Sequence, residues 1–283
     1  MVDTVTAGRG CPPWTAVLLA AAWLAAPAHA KDEPLWEYGF GIGALGYNDY
    51  RGAESSHVFP VPVPYFAYNG PLIKADQEGV RGALFSRPWV DLDLSFDATL
   101  PVSNDRTRNG MTELKPTFEV GLQLDLHVWQ SEDSRIKLLV RVPLREAFTF
   151  QAPPRSIGTT LTPGLKLKAD DPWDYAGWEV GIYLGPLFAN RRYNSYFYSV
   201  PPQNATASRP AYQAPSGYAG TQFVADMSKR FPHYWFGAFA RYDNLSGAVF
   251  EDSPLVRQEN YWSAGFAFAW MIGRSSTIVQ VAD

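Results

Sequence analysis

The stretch TELKPTFEVGLQLDLHVWQSEDSRIKLLVRVPLREAF, from Thr112 to Phe148, decides how the rest of the chain is read. Leu114, Phe118, Val120, Leu122, Leu124, Leu126 and Val128 fall on even positions. Lys115, Thr117, Glu119, Gly121, Gln123, Asp125 and His127 fall on odd ones. Alternation of period two marks a strand with one apolar and one polar face. Beyond Ser131-Glu132-Asp133 the pattern resumes with Ile136, Leu138, Val140, Val142 and Leu144 against Lys137, Arg141 and Arg145. Both runs exceed the ~5–6 residues of an ordinary globular strand. Strands of this length fit a barrel whose apolar residues face lipid and whose polar residues line a lumen.

The same alternation recurs in both directions from this hairpin. Trp36, Tyr38, Phe40 and Ile42 oppose Glu37, Gly39, Gly41 and Gly43. The glycines keep strand period and no helical pattern follows them, which argues against a phosphate loop. Trp89–Leu100 sets Val90, Leu92, Leu94 and Phe96 against Asp91, Asp93, Ser95 and Asp97. Leu161, Leu165 and Leu167 oppose Lys166 and Lys168, and Trp178, Val180, Ile182 and Leu184 oppose Glu179, Gly181 and Tyr183. Tyr218–Lys229, Tyr234–Tyr242 and Tyr261–Trp270 carry aromatics at their ends, as an interfacial girdle requires. In Phe59–Phe66 three prolines at alternate positions remove three amide donors, which predicts a stiff rim segment in place of a central strand.

These runs give an all-β, single antiparallel transmembrane barrel of about 12 strands (range 10–14), occupying residues 31–283. Strict alternation of twelve runs leaves loops 101–111 and 151–157 on the side of the short turns, a mismatch that points to a miscounted strand between Phe59 and Phe85. Val200–Ser216, rich in Pro, Ala, Ser and Gln, reads as a mobile surface loop, and Ser275–Asp283 as a tail.

Composition narrows the function classes. Aromatic residues reach 15% and charged residues only 18%, with a net charge of −4 and no basic block to track nucleic acid phosphates. Ala16–Ala26 is apolar but shorter than the ~20 residues of a membrane-spanning helix. The Ala28-x-Ala30 pattern after it predicts a signal peptide over residues 1–30, with maturation at Lys31. The one cysteine, Cys11, lies in that segment, which leaves no disulfide framework and no thiolate metal site. No cofactor is expected.

The candidate functional residues are lumen charges: Asp91, Asp93, Asp97, Lys115, Glu119, Asp125, Lys137, Arg141, Arg145, Lys166, Lys168 and Glu179. Interleaved signs predict cross-strand pairs that fill a narrow interior, with a selective solute path as the alternative. A three-residue loop at Ser131–Asp133 would place Glu119 opposite Arg145, Gln123 opposite Arg141 and His127 opposite Lys137. His57, His127 and His233 lack metal spacing, and no serine stands beside His127 as a hydrolytic pair would need.

Several short pieces, in order, resemble the MipA/OmpV family of Gram-negative outer-membrane proteins. They are Gly41-Ile-Gly43, Tyr50-Arg-Gly52, Pro62-Val-Pro64-Tyr65-Phe66-Ala67-Tyr68, and Arg192-Tyr193-Asn194-Ser195-Tyr196-Phe197. Ser216-Gly217-Tyr218-Ala219-Gly220, Tyr242-Asp243-Asn244-Leu245-Ser246-Gly247 and Asp252-Ser253-Pro254-Leu255-Val256 complete the set. Tyr198 departs from the pattern, where family members often carry glycine. The resemblance implies a non-enzymatic barrel in the outer membrane, in contact with lipid and lipopolysaccharide and monomeric. It further implies a scaffold role for a periplasmic murein hydrolase or synthase, with a narrow pore or a surface adhesin as alternatives; a lipid hydrolase is a lesser alternative read from His127 alone.

Overall fold

The computed structural model describes residues 30–282 apart from 71–72, 77–78, 83–84, 100–105 and 173–174. The expected signal peptide therefore lies outside the described residues except for Ala30. Five strands come first and include the glycine- and proline-rich runs: β1 (Ala30–Pro34), β2 (Trp36–Asn48), β3 (Ser56–Asn69), β4 (Ile73–Asp76) and β5 (Gly79–Gly82). The central hairpin lies within the next set: β6 (Phe85–Arg87), β7 (Val90–Thr99), β8 (Thr117–Gln130), β9 (Ile136–Thr149), β10 (Ser156–Leu161) and β11 (Gly164–Asp170). Then come β12 (Trp178–Ala189), helix α1 (Arg191–Tyr198), β13 (Gly217–Arg230), β14 (Tyr234–Asn244), β15 (Asn260–Arg274) and β16 (Ile278–Ala282).

Fourteen of these strands form one antiparallel sheet in the order β5-β4-β3-β2-β15-β14-β13-β12-β10-β9-β8-β7-β6, with β11 between β12 and β9. β15 pairs with β2, and β5 comes within 8 Å of β7, which brings the sheet around into a barrel. β10 and β11 occupy one position, broken at Thr162-Pro163, and β5 and β6 run in the same direction in another. Fourteen strands with two shared positions give twelve, the expected number.

The short strands in 73–87 also remove the mismatch in loop sidedness. They supply two positions where the sequence pattern is weak. The connections 49–55, 106–116, 150–155, 190–216 and 245–259 therefore fall at one end, opposite the turns 131–135 and 231–233 and the β11–β12 connection. Loop 151–157 and the described part of loop 101–111, residues 106–111, do not sit with the short turns.

Pro60, Pro62 and Pro64 do not form a rim segment. They lie within β3, paired with β2 along its whole length from Asn48↔Ser56 to Trp36↔Tyr68. In an antiparallel ladder alternate residues turn their bonding groups to opposite edges. An unbroken ladder to β2 requires the odd residues to bond, while the prolines turn toward the other edge. Among the described residues only Tyr68 and Asn69 pair with β4 on that edge, so the prolines interrupt no described ladder. Inward on β2, a Cβ at Gly41 would come within 2.0 Å of the Phe268 carbonyl oxygen, which explains glycine there.

The hairpin parity holds but its register differs from expectation. Leu122 faces Leu144, Leu124 faces Val142 and Leu126 faces Val140, all on the outer side, and Leu122 is 46% exposed. Five residues, Ser131–Arg135, make the turn instead of three. Gln130 faces Lys137, and a bulge between His127 and Trp129 restores parity, so that Asp125 faces Arg141 and Gly121 faces Arg145. Glu119 faces Ala147 and has no cross-strand pairing with Arg145. The segment 112–116 precedes the strand, so Lys115 is exposed at the mouth and is not part of the lumen wall. The expected tail holds β16, which pairs with β1 as a separate two-stranded ribbon.

Candidate functional site: a capped and filled barrel

Most predicted lumen charges meet partners inside. Arg141 grips Asp125 with Nη2 at 2.7 Å and Nε at 3.0 Å. Asp97 lies 3.8 Å from Arg145, whose Nε donates to Ser95 Oγ at 2.8 Å. Lys166 Nζ meets Asp226 Oδ1 at 2.6 Å across Gly181, where a Cβ would fall 2.3 Å from both side chains. A side chain at 181 would displace that pair. Asp91 binds His127 at 2.6 Å. Lys137, Lys168 and Glu179 lie toward the short-turn end of their strands. Sequence reading missed the Glu37–Arg230 pair, which joins β2 to β13 across the two strands between them on the ring. Asp93, Glu119, Gln123, Asp125 and Lys166 are all 8% exposed or less, so the interior is packed around them, while Asp97 and Asp226 keep half-exposed side chains.

The long-loop end is closed by a cap. Asn190 opens α1 by accepting the Tyr193 N–H at 2.9 Å, as an N-cap does. The helix drops Tyr193 into the barrel, where its hydroxyl donates to Glu119 Oε1 at 3.0 Å while Thr160 donates to Oε2 at 2.9 Å. Glu119 is thus an anchor for the cap. Tyr198 stacks on Phe250 at 3.7 Å between centroids and donates to the Arg51 carbonyl at 3.0 Å. Ser253 Oγ donates to the Tyr198 carbonyl, Tyr50 to the Leu255 carbonyl, and Arg108 to the Phe197 carbonyl. Phe250, Leu245, Leu255, Ala53 and Ala214 are fully buried in the resulting core. The loop 200–216 is stitched into it through Val200 paired with Tyr212, in contrast to the mobile loop expected from composition.

The family-like pieces converge here. Tyr50, Tyr193, Asn194, Phe197 and Ser253 are buried in the cap, and Tyr196 accepts the Lys115 N–H at 2.9 Å. Asn194 donates to the Pro215 carbonyl at 2.7 Å, next to Ser216. Gly52 and Gly217 sit at φ +89° and +144°, where L side chains are strained. Pro254 follows Ser253 in the same loop. Gly41, Gly43, Pro62, Pro64 and Tyr65 form the other group, at the β2–β3 seam.

Beneath the cap lies a cavity of about 290 Å³ between Tyr193, Leu45, Phe239 and the pair Arg51 and Arg241. Asp243, fully buried, accepts from Arg51 Nε at 2.9 Å and from Arg241 Nε at 2.6 Å. Arg51 comes from the first long loop, so this triad ties a loop to the wall.

Burial, and in second place the Glu119 charge, raises the Tyr193 phenol well above its ordinary value; burial raises Tyr198 as well. The folded cap therefore keeps protons that an unfolded one loses near pH ~10. Its stability should be intact below that pH and decline as pH climbs past it toward the raised folded values. Protease cutting of 200–216, followed against phenolate absorbance, should accelerate only above pH ~10. Cutting that rises while all tyrosines remain protonated would contradict this.

A barrel of antiparallel strands, apolar and aromatic outside and polar within, defines the chain as an outer-membrane β-barrel protein. The family model described as MltA-interacting protein MipA matches residues 40–272, and the chain belongs to that family. None of the curated proteins matches it. Solved structures similar to it include the outer membrane channel DcaP of Acinetobacter baumannii, 11% identical, covering 87% of this chain and 99% of that one at TM-score 0.33. The outer membrane protein OprG from Pseudomonas aeruginosa is 10% identical, covering 87% and 94% at TM-score 0.22. The Ralstonia pickettii toluene transporter TbuX is 7% identical, covering 87% and 71% at TM-score 0.23.

Proposed function

We propose that this protein is a non-enzymatic, monomeric scaffold, seated in outer-membrane lipid and lipopolysaccharide, that docks a murein hydrolase or synthase at its short-turn end. The burial of the lumen charges carries this reading. A conducting pore keeps such groups wet, whereas Asp93, Gln123, Asp125 and Lys166 are buried. The name of the family, MltA-interacting protein, supports a partner in peptidoglycan remodelling. His127, bonded to Asp91, takes a structural part in this reading.

Long loops of bacterial barrels face outward. Protease applied to intact cells should therefore cut 200–216 or 247–259 first, and cutting only after permeabilisation would invert the orientation. Docking is tested with photo-crosslinkers at Glu132 in a short turn and at Asn204 in the cap. Crosslinks to MltA from Glu132 and not from Asn204 are expected. Equal yields, or none from Glu132 and from His233 in another turn at that end, would overturn the assignment.

A further inference from the structure

We propose that the outer tip of the cap binds a saccharide carrying a phosphate or sulfate ester. Four loops meet there around a groove of about 440 Å³, contributing Glu54, Arg106, Arg209 and Arg257 with hydroxyl and amide neighbours such as Thr206 and Asn109. This volume lies within the ~300–1,000 Å³ of small-ligand sites.

The floor is built around Arg209, which is 8% exposed. Its Nη1 donates to the Thr107 and Asn109 carbonyls at 2.8 and 3.0 Å, and its Nη2 to the Asn204 carbonyl at 2.8 Å. Nε has no partner. Asn204 Nδ2 donates to the Gly110 carbonyl at 2.9 Å, which fastens the same two loops a second time. Carbonyl dipoles hold this guanidinium in place but do not neutralise it. Arg106 and Arg257 stand exposed on the same groove, and among the described residues no ion pair joins either of them, or Arg209, to Glu54. Among the described lining residues three cations therefore share one carboxylate.

A surplus of guanidiniums on a preformed floor suits a tetrahedral oxyanion, which accepts several forked N–H donors at once. The rest of the lining is hydroxyl and amide with a single proline, and it offers little apolar surface for a lipid tail or an aromatic ring. Sugar hydroxyls match it.

The test is calorimetric titration of the full refolded chain in detergent at low salt, with glucose 1-phosphate against glucose. Glucose should bind at least tenfold more weakly than its phosphate. The double variant Arg106→Gln with Arg257→Gln touches only exposed side chains, and should lose at least tenfold in affinity with unchanged thermal unfolding. Competition by intact lipopolysaccharide, but not by its dephosphorylated form, would assign the group to the surrounding membrane. Failure of both to compete would assign it to a soluble saccharide. Equal affinity for glucose and its phosphate, or unchanged binding by the double variant, would overturn the proposal.

Discussion

Asp243→Ala is expected to destabilise the folded barrel by about 3–5 kcal/mol, the cost of leaving a buried charge without its partner. Asp243 is fully buried and accepts hydrogen bonds from both Arg51 and Arg241. Its removal takes from Arg51 and Arg241 the one carboxylate to which both donate beneath the cap. Arg51→Met should cost less, because Arg241 still neutralises the carboxylate. Urea midpoints in detergent, with heat-modifiable gel mobility as the folded-state assay, give the comparison. A loss of under about 1 kcal/mol for Asp243→Ala would place the triad in water, as a surface pair would be, and would contradict a sealed cap.

Leu122→Arg should cost about 2–4 kcal/mol, because it puts a charge on the lipid face near mid-strand. Leu45→Arg offers a control at similar height. Leu45 is nine residues above Trp36 on β2 and Leu122 eight above Gln130 on β8. Leu45 lines the cavity under the cap, where an arginine can reach Asp49 or water. Its cost should be well under half as large. Equal costs would mean that the two parities do not separate lipid from lumen.

Residues Thr117–Thr149 show how far the sequence could be read. Periodicity gave the correct face to Leu122, Leu124, Val140 and Val142, because a period of two is a local property of the strand. Register is not local. The five-residue turn and the bulge near Val128 move Glu119 two places from Arg145, and neither leaves a residue signature stronger than ordinary polar composition. Strands β4–β6, three or four residues each, are too short to show a period.

The cap was the least legible part. Phe250, Leu255, Val200 and Ala214 are scattered among prolines, serines and glycines without helix or strand spacing, and only tertiary packing makes a core of them. Arg51 and Asp243 are 192 residues apart, so their pairing could not be foreseen from spacing. The short family-like pieces did mark the right loops, since Tyr50, Tyr193 and Ser253 meet there, but they did not show that those loops fold over the mouth.

Planar-bilayer recording tests the central claim, a capped and filled barrel, most directly. The purified full chain, inserted at neutral pH, should give no steady single-channel steps. Regular conductance steps from the intact protein would show a continuous water path past Glu119, Asp125 and Lys166, and would contradict both the sealed interior and the scaffold reading built on it.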